Sequence, residues 1–119
     1  MLPPRRIGFL GQSWSPATGG IEVHTEALAR ALVEAGMEVG ALAWADEKSS
    51  TRIVRHGGVT ITRQPRLMSG PDALDGGLAS DAALELWLDT MQPDLVHVHH
   101  LSGWGARALD ILESRGLPV

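Results

Sequence analysis

The chain has 119 residues, 44% of them hydrophobic and 20% charged, a length and balance that suit one globular domain or part of one. Its formal net charge is -4, and the ten basic residues are scattered apart from a loose group at Arg52, Arg55, Arg63 and Arg66, which leaves no footprint for nucleic acid. There is no cysteine, so disulfides and thiolate ligands are excluded; no apolar stretch nears the roughly 18 residues of a membrane span, the N-terminal apolar run is too short for a signal peptide, and a cytoplasmic location is expected.

Residues 6–10, RIGFL, lie between Pro3-Pro4 and Gly11-Gln-Ser and read as a buried first strand, followed by a loop of Gly, Ser, Pro and Thr. Over residues 21–35 the apolar or small positions Ile21, Thr25, Leu28, Ala31, Leu32 and Ala35 recur at helical spacing, while Glu22, Glu26, Arg30 and Glu34 form a polar row four apart. Gly36 stops this helix, and MEVGALAW, residues 37–44, reads as the next buried strand, completing a strand-helix-strand unit long enough for a parallel crossover. After a polar break at 46–50, the runs 52–55 and 59–63 flank a His56-Gly57-Gly58 turn as in a short hairpin. Residues 64–79 are dominated by Pro, Gly and Asp and read as a loop.

Ser80 is placed to cap a helix running to about Met91, with Leu84, Trp87, Leu88 and Met91 on one face and Glu85 and Asp89 on the other. LVHVHH, residues 95–100, forms the next strand, and 103–115 a third helix with Leu109 and Leu112 inward, closed by Gly116. The expected fold class is α/β: a Rossmann-like, mainly parallel sheet with helices on both faces. Only Leu117-Pro118-Val119 follows the last helix, so the sheet is expected to be incomplete, as in a fragment or a chain that works with a partner.

In an open parallel sheet the ligand crevice lies beyond the carboxyl ends of the strands. The loop over 11–20, the loop after Trp44 and the segment 99–105 converge there. A helix beginning near Gly20 aims unsatisfied N-H groups and a partial positive charge into that crevice, and glycines let a phosphate approach the backbone. The alternative is that Gly19-Gly20 makes a tight turn and nothing more. Glu22, in the first turn, is favoured by the helix dipole whether or not it has chemistry to perform.

Alternation places His97 and His99 on one face of their strand and His100 on the other. His97, in mid-strand, is expected to be buried; His99 and His100, at the strand end, suit either ligand contact or a structural role. No third ligand accompanies the His-x-His pair, so no metal is expected. His24 and His56 are expected to face solvent. Trp14 and Trp104 are expected at the crevice, where they stack on a sugar or base or else pin loops, and Trp44 and Trp87 in the core. The glycines Gly8, Gly11 and the distant Gly19-Gly20 do not make a nicotinamide-binding G-x-G-x-x-G fingerprint.

Taken together, GGIEVHTEALARALVEAGMEV (19–39), PDLVHVHHLSGWG (93–105) and RGLPV (115–119) resemble the N-terminal half of a GT-B glycosyltransferase of the GT4 type. The resemblance implies an enzyme that transfers a sugar from a nucleotide-sugar donor to an acceptor with retention at the anomeric carbon, without a metal or other cofactor. By that match residues 1–119 are the acceptor-side Rossmann-like domain and lack the C-terminal donor-binding domain. Gly19 and Gly20 would approach the donor's pyrophosphate, Ile21 and Glu22 would present backbone N-H groups to it, and His99 and His100 would line the acceptor site. The partners expected are therefore the donor and an acceptor of unread identity, with no nucleic acid and no integral membrane segment.

Two departures accompany the match. Met37 stands where the family usually has a histidine, a change expected to affect packing alone. The family's histidine near the reacting sugar closes the next strand, which would begin at Pro118 and Val119, so no catalytic residue is assigned and the chain alone is expected to be inactive. The competing reading is a non-catalytic nucleotide- or phosphate-binding module, or a subunit acting with a separately encoded partner.

Overall fold

The computed structural model describes residues 5–11, 20–44, 52–64, 78–99 and 104–119. The chain alternates strands and helices in the order β1 (Arg6–Leu10), α1 (Gly20–Glu34), β2 (Glu38–Trp44), β3 (Arg52–His56), β4 (Val59–Gln64), α2 (Leu78–Met91), β5 (Leu95–Val98) and α3 (Arg107–Ser114). The strands form one sheet in the order β3-β4-β2-β1-β5, parallel throughout except where β3 turns back on β4 through Gly57-Gly58. This is the α/β architecture expected from the sequence.

Period-two alternation divides the strand side chains between two cores. Ile7, Phe9, Val39, Ala41, Ala43, Val59 and Ile61 face α1, which contributes Ala29 with Leu32 and Val33. Leu10, Leu42 and Val96 face the opposite way, against Leu84, Trp87 and Leu88 of α2 and Ala108 and Leu112 of α3. Helices thus cover both faces. Gly8 and Gly40 are register partners on the α2 side, where their bare backbones admit Trp87 and Met91; a Cβ on Gly40 would stand 2.7 Å from the Met91 sulfur.

Both predicted glycine stops close their helices in the same way. Gly36 has φ +92° and Gly116 φ +68°, a region open to glycine at little steric cost. At α1 the N-H of Gly36 donates to Val33 O (3.0 Å) and that of Met37 to Leu32 O (3.1 Å); at α3 the N-H of Gly116 donates to Glu113 O (2.9 Å) and that of Leu117 to Leu112 O (3.0 Å). These paired bonds satisfy carbonyls that would otherwise be orphaned at the helix ends. Met37 packs on the α1-side core, so its role is one of packing.

Polar links hold the end of the sheet where the strands begin. The Oδ2 of Asp94 accepts the backbone N-H groups of Arg5 and Arg6, both at 2.9 Å, tying the entry of β1 to that of β5. Those two bonds hold the Asp94 carboxyl below its ordinary value of 3.8. Arg115 bridges α3 to α2 through Asp89 Oδ1 (2.8 Å) and Glu85 Oε1 (3.3 Å), and the Asp89 bond, with that to Glu85, raises its guanidinium further above its usual range.

Four expectations are corrected. The inward stripe of α1 is Thr25, Ala29, Leu32 and Val33, whereas Leu28, Ala31 and Ala35 are exposed: the small Ala29, fully buried, lets the helix approach the sheet on that row. Ser80 is not a cap, because α2 begins two residues earlier and the serine is buried inside its first turn. The third helix begins at Arg107 and not at 103, since Gly105 holds φ +77°, outside helical space. Leu109 points outward, and Ala108 and Leu112, four apart, carry the contact.

Candidate functional site

From β1 the chain moves to β2 and β4 on one side of the sheet, then returns to place β5 on the other side of β1. The connections reverse between β1 and β5, and in an open parallel sheet the crevice at such a switch point, beyond the carboxyl strand ends, is where ligands bind. Gly11 leaves β1 at that point and His99 leaves β5. The two exits are hydrogen-bonded, His99 N-H to Leu10 O at 3.0 Å, and Gly11 is tied to the other neighbour through its N-H on Leu42 O at 3.1 Å.

His99 lies directly over Gly11. A Cβ at that glycine would overlap the imidazole, and even Cδ2, the third-nearest ring atom, would be 2.7 Å away. On the same face, ring centroids separate Phe9 from His97 by 5.2 Å, Phe9 from His99 by 6.5 Å and the two imidazoles by 6.2 Å, with an interplanar angle of 19° between the latter. His97 is exposed, contrary to expectation: β5 flanks β1 away from α1, whose contacts fall on the β2 and β4 side.

Trp104 supplies the third component. Its indole is buried, at 1% exposure; Nε1-H donates to Gly11 O at 2.7 Å, and the ring stacks on Trp44 with centroids 4.3 Å apart and planes 22° off parallel. It sits at the crevice edge as expected, but its burial withdraws it from stacking on a ligand. Trp44 is half-buried and not fully in the core, while Trp87 is buried as expected. The buried N-H of an indole needs an acceptor; the sequence marked Trp104 as a crevice residue that stacks on a ligand or pins loops, whereas its partner, Gly11 O, required the fold.

Of the residues singled out for an anion, Gly20, Ile21 and Glu22 form the first turn of α1, whose N-terminus opens on the carboxyl side of the sheet. Gly19, His100 and Trp14 lie outside the described residues. Glu26 approaches His56 of the hairpin at 3.7 Å, and His24 and His56 are exposed as anticipated. The helix entries on the other face are joined by Arg107 Nη2 to Asp81 Oδ2 at 2.9 Å, a link between α3 and α2 that spacing did not reveal. Among the described residues, no group of three His, Asp or Glu side chains is arranged to hold a metal, and no helix is long and apolar enough to cross a membrane. A separate groove, lined by Arg6, Glu38, Thr60 and Met91, lies at the opposite, amino end of the strands, away from the switch point.

No curated protein and no solved structure matches the chain significantly. The family description Glycosyltransferase Family 4 does match, over residues 18–119, a span that runs from just before α1 through β5 and α3. With that match over most of its length and an α/β sheet whose crevice falls between β1 and β5, the chain belongs to Glycosyltransferase Family 4.

Proposed function

We propose that this chain is the acceptor-side domain of a retaining glycosyltransferase, in which the N-terminus of α1 faces the diphosphate of a nucleotide-sugar donor and His99 and His100 border the acceptor. The observation that carries the reading is that α1, which crosses from β1 to the parallel β2, begins at the carboxyl side of the sheet, in a chain of this family. Backbone N-H groups there lack intrahelical partners, and the helix dipole adds a favourable field for an anion. Gly19 and Gly20 would allow close approach, and the N-H groups of Ile21 and Glu22 would complete the cradle. The acceptor-side domain supplies one wall of the cleft; the donor's ribose and sugar would be held by a second domain, and sugar transfer would require both.

Ile21→Pro tests the cradle without dismantling the helix, because proline is tolerated in the first helical turn and removes one backbone donor. Calorimetric titration with inorganic pyrophosphate should show affinity lower by roughly tenfold in the variant, the value of about one charge-assisted hydrogen bond. Equal affinity, with helicity unchanged by circular dichroism, would remove the Ile21 N-H from the site.

A further inference from the structure

The sheet ends on one side at β3, an edge strand whose neighbour is β4. The turn between them has two residues, Gly57 at φ +60° and Gly58 at φ +83°, so His56 and Val59 form the hydrogen-bonded pair that closes it. In an antiparallel ladder bonded and non-bonded pairs alternate, which makes Val54 with Ile61 the next bonded pair. Ile53 and Arg55 stand opposite Thr62 and Thr60 in the non-bonded positions, so their own N-H and C=O groups point away from the sheet. Such groups are a template for one more strand.

The side chains of this edge narrow what that strand is. Val54 packs on the α1-side core, which puts Ile53 and Arg55 on the opposite face, where both line the groove that reaches Trp87 and Met91 of α2. Ile53 is 64% exposed, a large apolar side chain left in water on the edge itself. Arg55 is exposed and has no ion-pair partner among the described residues. Residues 51–64 hold three arginines and a histidine but no Asp or Glu, in a chain whose net charge is -4. Glu26 of α1 approaches this hairpin at its turn, 3.7 Å from His56, and leaves the β3 edge positive.

We propose that β3 is a docking edge for an extended acidic segment of another protein, which joins the sheet as a further strand. Its backbone pairs with that of Ile53 and Arg55, an apolar residue covers Ile53, and an Asp or Glu two positions away, on the same face, meets Arg55. A second copy of this chain is disfavoured as the occupant, because pairing two β3 edges brings the arginines of both hairpins together with no carboxylate between them. A nucleic acid would answer the charge, but it has no use for the strand's backbone groups or for Ile53. The edge lies beyond β2 and β4 from the crevice between β1 and β5, so docking there does not depend on the donor-phosphate reading.

The test uses the 119-residue chain and a short fluorescent peptide of the repeat Val-Thr-Glu-Thr, which sets an apolar and an acidic residue two apart on one face of a strand. Its Val-Thr-Lys-Thr counterpart, polyglutamate and oligo(dT) serve as comparisons, all followed by anisotropy. Saturable binding of the Glu peptide is expected, with each comparison weaker by at least about tenfold. Arg55→Glu should weaken the Glu peptide by a similar factor and turn the preference to the Lys peptide. In the native chain, the backbone amides of Ile53 and Arg55 should exchange with solvent more slowly once the Glu peptide is bound, while that of Val54, already paired with Ile61, changes little. This exchange measurement decides the matter if Arg55→Glu does not fold. Absence of saturable binding, or Ile53 and Arg55 amides left unprotected by the bound peptide, overturns the docking edge. Equal binding of the Glu peptide and of polyglutamate or oligo(dT) overturns it too, since charge alone would then account for the surface.

Discussion

Gly11→Ala is the sharpest structural test of the crevice, because Gly11 has no positive φ and its need for glycine is purely steric. The added methyl would occupy the space of the His99 imidazole, so the ring must rotate away or the exit of β1 must shift. Overpacking of this kind costs about 1–3 kcal/mol. For 119 residues the unfolding entropy is about 0.25 kcal/mol/K, so the melting temperature should fall by roughly 4–12 °C. His99→Ala alone, at a half-buried position, should cost about 1 kcal/mol. In the double variant the methyl enters vacated space, and the combined loss should be smaller than the sum of the two by about 1–2 kcal/mol. Urea denaturation of the four proteins measures this coupling directly. A Gly11→Ala loss below about 0.5 kcal/mol, or a double variant whose loss equals the sum, would refute the packing of His99 on Gly11.

Two further outcomes follow from the links at the edges of the fold. The folded-state pKa of Asp94 lies below its ordinary 3.8, so its contribution to stability is complete above that value and is lost as pH falls through the folded pKa. Denaturation curves of native chain and Asp94→Asn should therefore differ by a constant amount near neutral pH and converge in the acid limb below 3.8; a gap that persists unchanged into that limb would contradict the two backbone bonds. Arg115→Ala should cost about 0.5–1 kcal/mol, limited because Glu85 and Asp89 are solvent-accessible, and the cost should shrink in 1 M salt, where charge interactions are screened beyond about 3 Å. A cost independent of salt would assign the effect to packing of the arginine stem.

Much of this architecture is legible in the linear chain because the signals are local. RIGFL coincides with β1, the glycine stops at Gly36 and Gly116 sit at positive φ, and the Gly57-Gly58 turn joins two strands each one residue longer than expected, with His56 the last residue of the first. Two of the failures at helix starts are local, at Ser80 and Gly105, and the others come from tertiary context. Helical spacing gave α1 a stripe through Leu28, Ala31 and Ala35, whereas the sheet buries the row through Thr25 and Ala29. A mid-strand histidine reads as buried, yet His97 is exposed because of where β5 stands relative to α1. Pro93-Asp94 reads as a helix break; its second role, clasping the N-H groups of Arg5 and Arg6, joins residues 88 and 89 apart in sequence. At the crevice, the types of residue were legible, but the pairing of Trp104 with Gly11 spans 93 residues and appears only when β1 and β5 are neighbours.

The proposed function stands on binding of an anionic diphosphate at the first turn of α1, on the carboxyl side of the sheet. Backbone amide shifts of the labelled chain, titrated in parallel with inorganic pyrophosphate, UDP, GDP and ADP, test it most directly. Saturable shifts are expected to concentrate at Gly20, Ile21 and Glu22, with smaller ones at Gly11, His99 and the Trp104 indole. Shifts centred on the groove at the amino end of the strands, around Arg6, Glu38 and Thr60, or no saturable shift with any of the four, would contradict it.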